Sequence, residues 1–173
     1  VILLNKVKIF AKDQLSDSIF YHTKKVLECA KILADNWSET IEIGIWLHDI
    51  GITKGKKGHH EEGCNITLDF LKKNNYNEEK EITIILDIIK NHGTKGSPKT
   101  KECEIVKCAD KLWNFDDDVF KIKCNKWRKE TNSKEEFRQL ALKKIDEHYN
   151  NLCKKGKDIA KEKYKKFKEV LVL

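Results

Sequence analysis

Four histidines and two aspartates fall where helical segments would turn them inward: His22, His48, Asp49, His59, His92 and Asp110. Imidazole and carboxylate together suit borderline transition metals. One inward histidine is usually a core residue satisfied by hydrogen bonds. Four of them with two acids are harder to place, because a buried charge without a partner is costly. A shared cation accounts for all six. A divalent metal lowers the pKa of a bound water to about 7, so such a centre would make hydroxide available at neutral pH.

The elements that must position these groups follow from apolar periodicity. A short helix is expected over residues 2–12. A strong one over 18–36 carries Ile19, His22, Val26, Cys29 and Leu33 on one stripe. Ser38 can cap the next, which bears Ile41, Ile45 and His48 and is expected to stop at Gly51. A loop rich in lysine and glycine, 52–58, leads to a helix over 59–74. Asn77 can cap the one after it, with Ile82, Ile85, Ile89 and finally His92. Residues 93–101 hold the sole proline, Pro98, and read as a loop. Helix returns near Glu102, with Val106, Asp110 and Trp113 in register. Ser133 and Glu136 form a capping box ahead of a long helix to about Lys154. Gly156 is expected to break it before a last amphipathic helix with Ile159, Tyr164, Phe167 and Leu171. Strands have little support, and the fold class is all-α, a compact helical bundle of about six to eight helices.

His48 and Asp49 are neighbours, and neighbours on an α-helix point about 100° apart. They can share a cation only beside a helix end, or if the carboxylate reaches across. A carboxylate has two oxygens and can bridge two metals.

The 173 residues suit one compact domain. The net charge is +7, from 35 basic and 28 acidic residues, but only Arg128 and Arg138 are arginine. Base-reading surfaces favour arginine, so a nucleic-acid partner is disfavoured; the charge reads as a mildly basic surface, compatible with steering of small anionic substrates. Six cysteines, at 29, 64, 103, 108, 124 and 153, show no CxxC spacing and are expected to be buried, reduced thiols of a cytoplasmic protein. The apolar stretch at residues 1–4 is too short for a signal peptide, and no run reaches the ~20 apolar residues of a membrane span. Trp46, Trp113 and Trp127 are expected in the core. Lysines flank the ligand-bearing helix ends: Lys54, Lys56 and Lys57 after His48 and Asp49, and Lys95, Lys99 and Lys101 after His92. Lys54 and Lys95 are the first candidates for contacts to a small anionic substrate.

His48, Asp49, Ile50 and Gly51 read HDIG, which resembles the signature of HD-domain phosphohydrolases. YHT around His22, HHEEG at 59–63, IIKNHG ending at Gly93 and ADKL at 109–112 resemble the family's other blocks, in the same order. The resemblance implies a single HD-type domain over 1–173, with a metal-binding core at about 18–116 and additional helices at about 117–173. It implies a core metal site of His22, His48, Asp49 and Asp110. His59 and His92 match the further ligands of two-metal members, with Asp49 bridging and His60 the alternative to His59. His48, Asp49, His59 and Asp110 would carry catalysis. The cofactor implied is one or two divalent transition metals, among iron, manganese, zinc, cobalt and nickel. Ile52 and Thr53 stand where mononuclear nucleotidases of the family often carry an acid, and the GYP element of cyclic-dinucleotide phosphodiesterases is missing. The implied activity is hydrolysis of a phosphomonoester or phosphoanhydride, a nucleotide being the expected substrate. The same ligands would serve a di-iron oxygenase of the superfamily, and a non-catalytic basic module is the third reading. No membrane partner is expected, and the oligomeric state stays open.

Overall fold

The computed structural model describes residues 2–55 and 57–172, without the side chain of Ile2. Val1 and Lys56, named above in the apolar start and the basic loop, lie outside the described residues. Among the described residues there are nine α-helices, two 3-10 segments and no strand, so the chain is all-α with slightly more helices than expected.

Two compact units divide the chain, one running to Lys107 and the other starting at Cys108. The first holds α1 (Ile2–Gln14), α2 (Asp17–Leu33), α3 (Glu39–Leu47), a 3-10 segment (Ile50–Lys54), α4 (His59–Lys73), α5 (Glu79–Asn91) and the start of α6 (Lys101–Leu112). Its core joins Val7 and Ala11 of α1, and Leu15 just after it, to Ile43, Trp46 and Leu47 of α3, with Ile50, Leu71, Ile85 and Ile89. Each such aliphatic side chain contributes roughly 1.5–3 kcal/mol when fully buried. Every residue of α3 from Thr40 to Leu47 is buried, which makes it the central helix of this unit. Ser38 caps it as expected, its Oγ accepting from the Ile41 amide at 3.2 Å.

Three boundaries differ from the sequence expectation. α3 ends at Leu47, and the chain tightens into the 3-10 segment instead of stopping at Gly51. Gly51 is needed for close approach: a Cβ there would land on the His59 carbonyl and the Gly63 amide of α4. The cap of α5 is Glu78 and not Asn77, with no side-chain bond to the helix end. α2 ends at Leu33, short of residue 36, because Ala34 turns to extended backbone.

The loop after α5 is held by one buried acid. Asp87 Oδ2 accepts from the Lys99 amide at 2.9 Å, the Thr100 amide at 2.9 Å and the Thr100 hydroxyl at 2.8 Å. Burial pushes the Asp87 carboxyl up, but these bonds and one from Asn91 outweigh it and hold it below its ordinary range.

The second unit takes the end of α6, a 3-10 turn (Trp113–Phe115), α7 (Asp117–Lys129), α8 (Lys134–Asn150) and α9 (Lys154–Val172). Aromatic rings fill its middle. Phe120 stacks on Phe167 with centroids 3.8 Å apart, and Tyr149 on Tyr164 at 3.9 Å. The expected capping box is present in modified form. The Glu136 amide donates to Ser133 Oγ at 3.1 Å, while the Glu136 carboxylate takes the Asn132 amide. Trp46 and Trp127 are buried as expected, and Trp113 is half-buried.

Two expectations fail in this unit. Gly156 does not break a helix: it lies in the first turn of α9, where a Cβ would meet Cys108 Sγ. The break falls earlier, after Asn150. Cys108 and Cys153 are also not reduced thiols but are joined in a disulfide, with Cα atoms 5.7 Å apart. A separation of 45 residues leaves no spacing motif to read, and only the fold brings the two together. Cys29, Cys64, Cys103 and Cys124 stay outside any disulfide; Cys103 is buried and the other three are half-buried.

Candidate metal centre

The junction between α3 and the 3-10 segment solves the problem of the adjacent pair. His48 is the last residue in α-helical conformation, and Asp49 has left it at φ −107°, ψ 11°. The tighter turn lets two consecutive side chains reach one point. Asp49 Oδ2 lies 3.4 Å from His48 Nε2.

Two other helices of the same unit aim at this carboxylate. His22, on α2, brings Nε2 to 3.5 Å from Asp49 Oδ2 and 3.2 Å from His48 Nε2. His92, the residue that ends α5, brings Nε2 to 3.5 Å from the other oxygen, Oδ1. The carboxylate therefore shows one face to His22 and His48 and the other to His92. His48, Asp49 and His92 are all buried and form a group that could hold a metal ion.

The ring tautomers follow from hydrogen bonds at the far side. His48 Nδ1 lies 2.7 Å from the Ile45 carbonyl, and His92 Nδ1 lies 3.1 Å from the carbonyls of both Ile88 and Ile89. A carbonyl can only accept, so each Nδ1 carries the hydrogen. In a neutral ring each Nε2 is then a lone pair, aimed at an anion. Protonating all the rings would relieve this only by crowding imidazolium groups together. One divalent cation satisfies every donor at once. A metal-binding histidine commonly donates its second N–H to a backbone carbonyl in this way. Burial pushes the Asp49 carboxyl up, but His48, His92 and His22 outweigh it and hold it well below the ordinary carboxylate range.

A second group lies at the start of α4. His59, His60 and His92 could together hold a metal ion. The phase of HHEEG favours His59, yet His60 comes closer to His92, with ring centroids 4.9 Å apart against 6.5 Å. Burial, with His92 and His59 nearby, holds His60 down to about 4. Both imidazoles are present, and His92 is common to the two groups.

Asp110 belongs to the second unit, on the last turns of α6. Its Oδ2 lies 2.5 Å from Lys111 Nζ. Lys54 closes the 3-10 segment and Lys95 lies in the turn that follows α5; both are exposed.

The second unit also carries a cluster that sequence reasoning missed. Lys111 is buried. The Lys123 ammonium bonds the Asn114 side-chain carbonyl and lies over the Trp113 ring, 4.8 Å from its centroid. Burial holds Lys123 down to about 8, with Lys111 pushing the same way and Asp110 opposing. His148 is held down to about 3, by burial first and then by Lys123 and Lys111. The only signal was Lys111 inside ADKL; lysines are otherwise read as solvated.

The depressed His148 sets the sign of one pH effect. Between about 6.5 and about 3 the unfolded chain takes up a proton that the folded chain refuses. Stability is therefore expected to fall as pH drops through that window, and His148→Gln should flatten this part of the curve. Urea melts at a series of pH values check it. An unchanged slope in H148Q would count against a half-buried ring held neutral.

A family model for the HD domain matches residues 19–114, somewhat over half of the chain. The chain belongs to the HD domain family, a superfamily of metal-dependent hydrolases whose domains bind divalent metals. No curated protein and no solved structure matches it. Among the described residues no helix is long and apolar enough to cross a membrane.

Proposed function

We propose that the chain is a phosphohydrolase that cleaves a phosphomonoester or phosphoanhydride of a small molecule, a nucleotide being the first candidate. The observation that carries this reading is the orientation of His48 and His92. Each donates Nδ1–H to backbone and turns Nε2 toward opposite oxygens of Asp49. That arrangement suits a carboxylate shared between two cations.

His22, His48, Asp49 and His92 are the proposed ligands from the first unit, with His59 or His60 completing the second position. ADKL adds Asp110 on its motif alone. Iron, manganese, zinc, cobalt and nickel all suit mixed imidazole and carboxylate donors. When bound, a divalent cation makes hydroxide available near neutral pH and polarises a phosphoryl oxygen. The chain's own part is to hold the donors still. The Ile45, Ile88 and Ile89 carbonyls fix the two rings, and burial around Asp49 keeps bulk water from competing. Lys54 and Lys95 are proposed to meet substrate phosphate from the loops. No protein nucleophile is required.

The test is a colorimetric phosphate-release assay over a broad panel of nucleotides and sugar phosphates, with manganese or ferrous iron added. Release is expected, abolished by chelation and restored by metal. Inactivity of metal-loaded protein across the panel contradicts the proposal. Oxygen consumption with a polyol or phosphonate in that case points to the di-iron oxygenase.

A further inference from the structure

His59 and His60 are neighbours at the start of α4, and an ideal helix would point them about 100° apart. Their side chains fold together instead, with ring centroids 4.0 Å apart and 53° between the planes. His92 closes the group from the end of α5, its centroid 4.9 Å from His60 and 6.5 Å from His59. One donor nitrogen from each ring lies within 4.8 Å of the other two. Two nitrogens bound at about 2.1 Å to one cation stand at most about 4.2 Å apart, so small side-chain rotations complete the set.

Two glycines make this convergence possible, and each stands beside a proposed ligand. Gly51, two residues after Asp49, lets the His59 carbonyl pack against the 3-10 segment, where a Cβ would collide with it. Gly93, directly after His92, faces the other ring: a Cβ there would come to 2.9 Å from His60 Cε1 and 3.2 Å from Nε2. The turn behind Gly93 is itself tied down. The Gly96 amide donates to the Gly93 carbonyl at 3.0 Å, Lys107 Nζ to the Gly96 carbonyl at 2.7 Å, and the Ser97 amide to Asn91 Oδ1 at 3.3 Å. Among the described residues the half-buried His60 ring makes no hydrogen bond or ion pair, although two other imidazoles lie against it. Packing alone asks for no nitrogen here; a phenylalanine ring would fill the space without a polar atom to satisfy.

We propose that both members of the pair, His59 and His60, ligate the second cation together with His92, so that this position is a three-imidazole site. The inference rests on the metal-centre reading given above and names what its second position holds. The donors are neutral nitrogens, and the acid they share with the first position is Asp49, whose Oδ1 lies 3.5 Å from His92 Nε2. Imidazole suits zinc, iron and nickel, whereas manganese prefers oxygen donors. The second position therefore selects zinc, ferrous iron or nickel over manganese more strongly than the first does.

The experiment is calorimetric titration of the chelator-stripped full chain with zinc and, separately, with manganese, with elemental analysis of the loaded protein. It compares wild type with His59→Phe, His60→Phe and Gly93→Ala. The phenylalanines keep a ring in place and remove its nitrogens, and near-UV circular dichroism confirms that each variant is folded. Wild type is expected to bind two zinc ions, with the preference for zinc over manganese larger at the second position. G93A presses on the His60 ring without removing a ligand, and should weaken the second zinc roughly 10–100-fold. H59F and H60F should each weaken it by at least as much, or lose it, and keep the first zinc. Full second-zinc affinity in H59F or H60F overturns the three-imidazole site, as does a wild type that saturates at one zinc. Equal zinc preference at both positions overturns the donor assignment. If a phenylalanine variant does not fold, His59→Gln or His60→Gln takes its place, with the same expected and overturning results. The two readings fail separately. Loss of the second zinc in both variants of a protein that releases no phosphate sinks the hydrolase and keeps the site. Phosphate release by wild type, with both zinc ions held at full affinity in H59F or H60F, does the reverse.

Discussion

Asp49→Ala is expected to strip the chain of its metal and of its hydrolytic activity together. The carboxylate is the one group that all three imidazoles of this cluster approach, at 3.4 Å for His48 and 3.5 Å for His22 and His92. Removing a residue that only orients a ligand costs roughly 10–100-fold in metal affinity or activity, and loss of the shared ligand should exceed that. The fold should survive, because Asp49 supplies little to the apolar core formed by Val7, Ile43, Leu47 and their neighbours. The acid also has a pH consequence in metal-free protein. Its folded pKa is depressed, so its contribution is present above the ordinary carboxylate value and is lost as pH falls below about 4. D49A should lack that acid-labile part. Metal content and phosphate release, measured on folded D49A beside wild type, decide the matter. A variant that keeps both has no shared carboxylate at the centre.

Gly51→Ala is the second large effect, and it acts through packing. The new Cβ would overlap the His59 carbonyl and the Gly63 amide, which are backbone atoms of α4. No rotamer change can relieve a backbone clash, so the 3-10 segment and α4 must part. Ordinary overpacking costs about 1–3 kcal/mol, and this contact belongs at or above the upper end. For a chain of this size that corresponds to a fall in Tm of roughly 6–12 °C. Gly63→Ala serves as the comparison. Its Cβ would press mainly on the Ile89 Cγ2 methyl, at 2.9 Å, which can shift. Thermal melts should therefore rank G51A well below G63A. Because α4 carries His59 and His60, G51A should also loosen metal held by that pair. A G51A melt within about 2 °C of wild type would be too small for a backbone collision of this kind.

Much of this molecule could be read from its residues before its coordinates. Apolar periodicity separated α2, α3, α4 and α5, and the histidines at their inner faces or ends came with it. Ser38 and Ser133 announced two helix starts because capping is local chemistry. What could not be read depends on contacts between elements distant in sequence. Gly51 looked like a helix stop, yet its purpose is the approach of α4. Gly156 looked like a break, yet it makes room for Cys108. The Cys108–Cys153 pairing spans 45 residues without a motif. Nothing in their spacing singles out Lys111, Lys123 and His148; the burial of Lys111 and the partial burial of the other two depend on the packing of the second unit. The choice between His59 and His60 is of the same kind. Helical phase picks one, while the ring positions give both a place beside His92.

Elemental analysis of protein purified without chelator addresses the central claim most directly. One or two iron, manganese, zinc, cobalt or nickel ions per chain are expected in wild type, and essentially none in D49A. A wild-type chain that is metal-free as isolated, and that takes up none of these ions when they are added, would contradict the account.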